Sequence, residues 1–257
     1  MKGRFAVFVF SLVFWSALER VLPRRARVDD AGRRWGANLG LVAFSWAAVQ
    51  AFVPFSLIEA AGRAEAAGFG LLNLTLLPFP VKFIVSFVAL DLAVYLQHRV
   101  FHMSSALWRL HAVHHSDLDL DASSGVRFHP GELVLSALYK GAVVALVGAH
   151  FTAVGVFEVL LAAASIFNHS NTAIPGDSVL RRLIVTPDMH RVHHSPARAE
   201  TDSNFGFLIP WWDRLFGTYK DQPSEPHEKM TLGLAAARDG ADLGLWALLA
   251  RPFRRSA

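Results

Sequence analysis

The residues best placed to do chemistry in this chain are histidines. His98-Arg-Val-Phe-His102 is followed, after eight residues, by His111-Ala-Val-His114-His115. The His-x-x-His-His spacing returns as His190-Arg-Val-His193-His194, and His169 lies between the two halves in Phe167-Asn-His-Ser-Asn171. At helical pitch, spacings of three and four fall on one face, so His98 and His102 form one cluster and His111, His114 and His115 another. Neutral imidazole is the commonest protein metal ligand, and nine of them exceed what one tetrahedral ion can use. The pattern predicts two metals.

An all-nitrogen site accepts iron, copper, nickel or zinc, so ligand type does not name the metal. The surroundings narrow the choice. The chain is 53% apolar and only 18% charged over 257 residues, and the apolar residues come in long blocks, which predicts a membrane protein with one integrated domain. A redox metal beside hydrocarbon can activate oxygen and break an unactivated C–H bond, whereas zinc has no redox chemistry. Cysteine is absent, which excludes disulfides, thiolate-bound haem and cysteine-ligated clusters within this chain, so electrons must come from a separate carrier. The net charge of +4 does not point to nucleic acid. The arginines flank apolar segments, as Arg24, Arg25, Arg27, Arg33 and Arg34 do, and as Arg251, Arg254 and Arg255 do at the other terminus. There they suit anionic headgroups.

The elements that must position the histidines can be read in order. Residues 5–22, 35–58 and 71–96 are apolar blocks long enough to cross a ~30 Å hydrocarbon core, and the first is expected to be a retained helix rather than a cleaved signal. The arginine-rich loop 23–34 is expected on the cytoplasmic side and the loop 62–70 outside, which brings His98 to the cytoplasmic mouth of the third helix. Pro78 and Pro80 are expected to kink its outer end. Asp91, an ionisable residue in an apolar segment, lies two helical turns before His98 and is a candidate acceptor for an imidazole N–H. The block 133–167 is too long for one straight span, and Gly148 and His150 near its middle predict a hairpin that returns His169 to the other histidines, with His150 in the turn. From 169 to 231 the chain is polar and is expected to form a cytosolic cap, with Trp211, Trp212 and Arg214 at the membrane surface. Residues 232–257 are expected to form an amphipathic tail.

The three histidine boxes, with Arg127-Phe-His-Pro-Gly-Glu132, Asn168-His-Ser-Asn171 and the run from Asp202 to Tyr219, resemble the fatty acid hydroxylase superfamily, which includes sterol desaturases and C-4 methylsterol oxidases. The likeness covers roughly residues 91–219. The resemblance implies an all-α integral membrane helical bundle with a cytosolic histidine-rich helical cap over a dimetal site, here within a single domain spanning 1–257. It implies a non-haem diiron oxygenase that hydroxylates or desaturates a lipid such as a sterol or fatty acyl chain. The implied ligands are His98, His102, His111, His114, His115, His169, His190, His193 and His194. O2 is the implied co-substrate, and the implied electron donor is ferredoxin- or cytochrome b5-like. Members often carry a further histidine four residues after the one matching His169, where this chain has Ala173. His129, water or Asn171 are the expected substitutes, and Asp91, His129, Asn171 and Asp188 are the candidates to support the ligands. A pairing of Arg127 with Glu132 is expected at the edge of the site. A bacterial inner membrane location is expected, with the boxes facing the cytoplasm. A histidine-rich metal transporter or sensor, or a zinc-dependent membrane hydrolase, is the alternative, and both work without oxygen or a reductant.

Overall fold

In the computed structural model, residues 2–238 and 243–254 are described. Twelve α-helices run through them, and the only extended pairing among them is an isolated bridge between Pro23 and Thr172. The architecture is an all-helical bundle. Among the described residues, four segments are long and apolar enough to cross a membrane: Ala31–Leu74, Phe79–Met103, Pro130–Val147 and Phe151–His169.

The N-terminal block forms α1 (Lys2–Val21), which packs on α7 (Phe151–His169) through Trp15 against Phe167. It is not among the four apolar segments, since Arg4, Glu19 and Arg20 lie in its sequence. The second block is interrupted. Pro54 follows α2 (Ala31–Phe52), and a separate short helix, α3 (Leu57–Ala66), starts at a capping box between Ser56 and Glu59. The expected loop at 62–70 is therefore partly helical, because the Ser56 and Glu59 pair satisfies the backbone donors that open a new helix.

The third span, α4 (Phe79–Met103), begins later than its apolar sequence does, because residues 71–74 form a 3₁₀ turn. Pro78 and Pro80 do not kink it. Pro78 is its N-cap and Pro80 its second residue, where a missing N–H costs nothing and the fixed φ favours helix. The helix then continues past His98 and His102 to Met103, and α5 (Ser105–His111) follows at once.

The predicted hairpin is present as α6 (Pro130–Val147) and α7. Gly148 ends α6 at φ 66°, a left-handed position that glycine adopts without strain. A Cβ there would meet the backbone of Gly70 at 3.0 Å. His150 caps α7 by accepting from the backbone N–H of Thr152. Around Leu90, Val144, Val154 and Phe157, helices α3, α4, α6 and α7 share one buried apolar cluster.

Beyond α7 come α8 (Asp177–Leu180), α9 (Pro187–His193), α10 (Arg198–Thr201) and α11 (Trp211–Leu215). The tail differs from the expected amphipathic helix. Leu232 and Ala237 are buried, and Gly233 donates its N–H to the carbonyl of His194. Among the described residues the tail carries α12 (Leu245–Ala250) before a terminal 3₁₀ turn, and Leu248 joins Ala37, Leu41 and Val113 in a second cluster against α2. Of the expected basic cluster, Arg255 lies outside the described residues.

Candidate metal centre

The nine histidines reach the centre from five pieces of backbone. The 3.6-residue pitch of α4 stacks His98 and His102, α5 ends on His111, and the 3₁₀ turn at 114–116 presents His114 and His115. His169 closes α7. Pro187 starts α9 and Thr186 caps it, leaving His190 and His193 on its inner face and His194 at its C-cap.

These nine side chains are all buried and fall into two groups. His98, His102, His111, His115 and His193 form one, and His114, His169, His190 and His194 the other; within each group one nitrogen per ring lies within 4.8 Å of the rest. The groups abut: the rings of His115 and His194 stack at 4.5 Å, and those of His111 and His114 lie tilted at 5.2 Å.

The outer nitrogens show which inner ones are free. His98 Nδ1 donates to the carbonyl of Phe205 at 2.9 Å, His193 Nδ1 to Ser203 at 2.7 Å, His114 Nδ1 to Arg127 at 3.2 Å and His169 Nδ1 to Ser165 at 2.6 Å. A carbonyl oxygen only accepts, so these rings carry their proton on Nδ1 and present a lone pair at Nε2 when neutral. Two further rings donate to carboxylates, His111 to Glu132 at 2.7 Å and His102 to Asp202 at 3.3 Å.

The inner nitrogens of His98, His111, His114 and His169 then face their neighbours without a proton to offer, while Nδ1 of His190 and of His194 is buried with no partner of its own. His169 Nε2 lies 3.0 Å from His114 Nε2, 3.0 Å from His190 Nε2 and 3.2 Å from His194 Nε2, and His98 Nε2 lies 3.1 Å from His111 Nε2. Nε2 of His102, His115 and His193 is buried with no hydrogen-bond partner. Opposed lone pairs repel unless a cation lies between them. Two imidazoles bound to one ion at about 2.1 Å have nitrogens about 3.0–3.4 Å apart, which matches these distances. The residues present fit metal ions, one in each group.

Electrostatics agree. Burial first, and then the neighbouring imidazoles, hold the pKa values of His114, His115, His190, His193 and His194 well below the usual histidine value. Rings kept neutral can donate a lone pair to a metal.

The family model described as Fatty acid hydroxylase matches residues 83–218, which include all nine histidines. The chain belongs to the fatty acid hydroxylase family. Among its relatives, "Ornithine lipid hydroxylase OlsE" of Rhizobium tropici is 29% identical over 182 residues, covering 69% of this chain and 52% of the relative. "Alkylglycerol monooxygenase" of Homo sapiens is 27% identical over 150 residues, covering 58% and 32%. "Very-long-chain aldehyde decarbonylase GL1-1" of Oryza sativa subsp. indica is 26% identical over 249 residues, covering 90% and 38%. The chain thus spans about half the length of these relatives or less. No solved structure matches it.

Four supporting residues expected in this fatty acid hydroxylase chain lie elsewhere than beside a ligand. Asp91 Oδ2 accepts from the Trp212 indole at 2.8 Å and from Ile209 N–H at 3.3 Å, not from an imidazole. His129 caps α6 by accepting from Gly131 N–H and donates to the carbonyl of Leu249. Asn171 exchanges hydrogen bonds with the backbone of Arg25. Asp188 pairs with Arg24 and Arg191. Neither Asn171 nor His129 belongs to a histidine group, and Ala173 N–H donates to the carbonyl of Leu22.

Arg127 and Glu132 do not pair either. Arg127 donates to the carbonyl of Val113 and to the side chains of Asn38 and Ser116, while Glu132 accepts a hydrogen bond from His111. This leaves Arg127 bracing the loop that carries His114, whose ring stacks on Phe128 at 4.5 Å. Beside it, Arg34 on α2 donates to Asp117 at 2.7 Å and to Asp121 at 2.7 Å, all three buried. Burial works to raise the Asp117 pKa, but Arg34 and Arg127 outweigh it and hold the carboxyl far below its usual value. A charge network therefore fixes the second histidine box against α2.

Sequence reasoning passed over several of these partners. The backbone carbonyls of Ser165, Ser203 and Phe205 have no residue signature. Glu19 on α1 accepts from the backbone N–H groups of Ala122 and Asn171, and a buried glutamate in an apolar helix was the available signal.

Proposed function

We propose that this chain is a membrane-bound non-haem diiron oxygenase that hydroxylates a C–H position of a lipid, using O2 and electrons from an external donor. The observation that carries the reading is the meeting of nine imidazoles, six of them held with the inner nitrogen unprotonated, in two abutting groups inside an apolar helical bundle. Bound there, two iron ions would supply the redox chemistry that activates O2 and oxidises an unactivated carbon.

The chain's own residues do the rest. The carbonyls of Phe205, Ser203, Arg127 and Ser165 and the carboxylates of Glu132 and Asp202 fix ring tautomer and direction, which raises ligand basicity. Burial of every ligand keeps water from the site. The apolar helices hold one carbon of the substrate near the two groups, so rate comes from proximity and specificity from the shape of their walls. Two relatives are named for lipid oxygenation, as ornithine lipid hydroxylase and alkylglycerol monooxygenase, which favours hydroxylation of a lipid over desaturation. The absence of cysteine supports an external donor of the ferredoxin or cytochrome b5 type. The arginine-rich loop meets the histidine end, where Arg24 N–H donates to the carbonyl of Asn171, which supports a cytoplasmic-facing centre in a bacterial inner membrane.

The test is metal content and Mössbauer spectroscopy on protein grown in iron-57, followed by oxygen- and reductant-dependent turnover of membrane lipid extracts. Two exchange-coupled irons per chain and a lipid product heavier by one oxygen are expected. Stoichiometric zinc that iron cannot replace, with oxygen-independent activity, would overturn the reading in favour of a hydrolase or transporter.

A further inference from the structure

The chain between Phe207 and Phe216 does not stay at the histidine end. It runs down beside α4 and α7. Asn168 donates to the carbonyl of Phe207 at 2.8 Å, and Leu208 packs on the buried cluster of Leu90 and Phe157. Asp91 then receives Ile209 and Trp212, and Phe216 stacks on Tyr95 with ring centroids 5.4 Å apart.

Asp91 is the midpoint of the 25-residue α4. At 1.5 Å per residue it lies about 10 Å below His98 along the helix axis. A hydrocarbon core of ~30 Å starting at the Phe79 end covers about 20 residues of α4, so it reaches the level of His98. Helix α11 therefore sits beside a stretch of α4 that is inside the bilayer.

Its outward face suits that depth. Trp211 donates its indole N–H to the carbonyl of Arg182 at 2.7 Å, and Arg214 donates to the carbonyl of Arg181 at 3.1 Å. These bonds knit α11 to the turn after α8. The joined surface presents Val179, Leu183, Ile184, Trp211, Leu215 and Phe216, each between 41% and 69% exposed. An apolar patch of this kind rimmed by arginines marks a contact surface, and arginine stems can lie along apolar surface while their heads reach polar groups.

We propose that this face is a bilayer-embedded shoulder: α11 and the 179–184 turn lie in the acyl region of one leaflet, with Arg182 reaching anionic headgroups. The occupant is lipid, argued from continuity with the lipid-facing surface of α4 and from the matching depth. Helices that lie in an interface bury their apolar face ~5–10 Å deep, the depth that the Asp91 register gives. The inference rests on the bundle spanning a membrane and is independent of the metal chemistry.

The chain lacks cysteine, so single labels are unambiguous. Leu183→Cys, Leu215→Cys and Val179→Cys would each carry a nitroxide in nanodiscs of phosphatidylcholine and phosphatidylglycerol. Ile84→Cys on α4 serves as the lipid reference and Lys229→Cys as the aqueous one. Collision with molecular oxygen is compared with collision with a water-soluble nickel chelate. The oxygen-to-nickel ratio at 183, 215 and 179 is expected to exceed that of Lys229→Cys several-fold and to approach that of Ile84→Cys. Ratios equal to that of Lys229→Cys overturn the proposal. Labels shielded from both reagents overturn it as well, in favour of a second copy or another protein seated on the face. Because three separate exposed positions are labelled, loss of one variant to misfolding leaves the measurement decisive.

Discussion

His98 Nδ1 donates to the carbonyl oxygen of Phe205 at 2.9 Å, and that bond is one of three from a single short stretch. Asp202 takes His102 and Ser203 takes His193, so residues 202–205 orient three of the five rings in the first group. Asp213 in turn holds this stretch, accepting from Phe205 N–H and Gly206 N–H at 2.8 Å each and from the Thr218 hydroxyl at 2.7 Å. Asp213→Ala strands those buried donors at about 1–3 kcal/mol each. It is expected to lower stability by about 2–5 kcal/mol and to empty the first group while the His114 group keeps its metal, halving the metal content per chain. Full metal content with wild-type unfolding would refute the coupling.

Glu132 is the partner of His111 at 2.7 Å. Glu132→Gln keeps the shape and removes the charge that makes the ring a stronger donor. Loss of such a partner typically weakens metal affinity by about 10–100-fold, and competition titration against a chelator reads it directly. An unchanged affinity would show that the carboxylate serves packing alone.

The depressed histidines set the direction of the pH response. Between about pH 6.5 and their lower folded pKa values, His114, His115, His190, His193 and His194 bind protons in the unfolded chain and not in the folded one. His227, lowered to about 4 by burial, has the same sign. Stability of the metal-free protein should therefore be flat above about pH 6.5 and fall as the solution is acidified, by up to ~1.4 kcal/mol per pH unit for each such ring. Unfolding of the metal-free protein across that range tests it, and stability that rises on acidification would contradict it.

Alanine at His111, His114 or His193 should release metal and abolish turnover. His150→Ala should do neither, since His150 caps α7 and stacks on Phe151 away from both groups. His227→Ala should keep its metals, because His227 faces Asp188 at 3.8 Å and belongs to neither group. Metal analysis of the five variants decides, and an empty site in His150→Ala would break the assignment.

The histidines were legible because ligand chemistry constrains residue type and spacing together. Their division was not: the repeated His-x-x-His-His boxes are each split, His114 going to one group and His111 and His115 to the other, and only the packed backbone sets which way each ring points. The hairpin was readable from Gly148 and from the length of the apolar run. The start of α4 was misplaced because prolines read as kinks also serve as first-turn residues. Asp91 was identified as a costly buried charge, yet its partner, Trp212, lies 121 residues away, and no local pattern carries a contact at that separation.

The centre draws its second group from His114, His169, His190 and His194, while the last of the four apolar segments ends at His169. During synthesis the whole membrane bundle is therefore complete before the third histidine box leaves the ribosome. Neither group has its full set of ligands until that box arrives. Until then the bundle is held by apolar packing and the Arg34 network, and the third box is the piece that closes both groups.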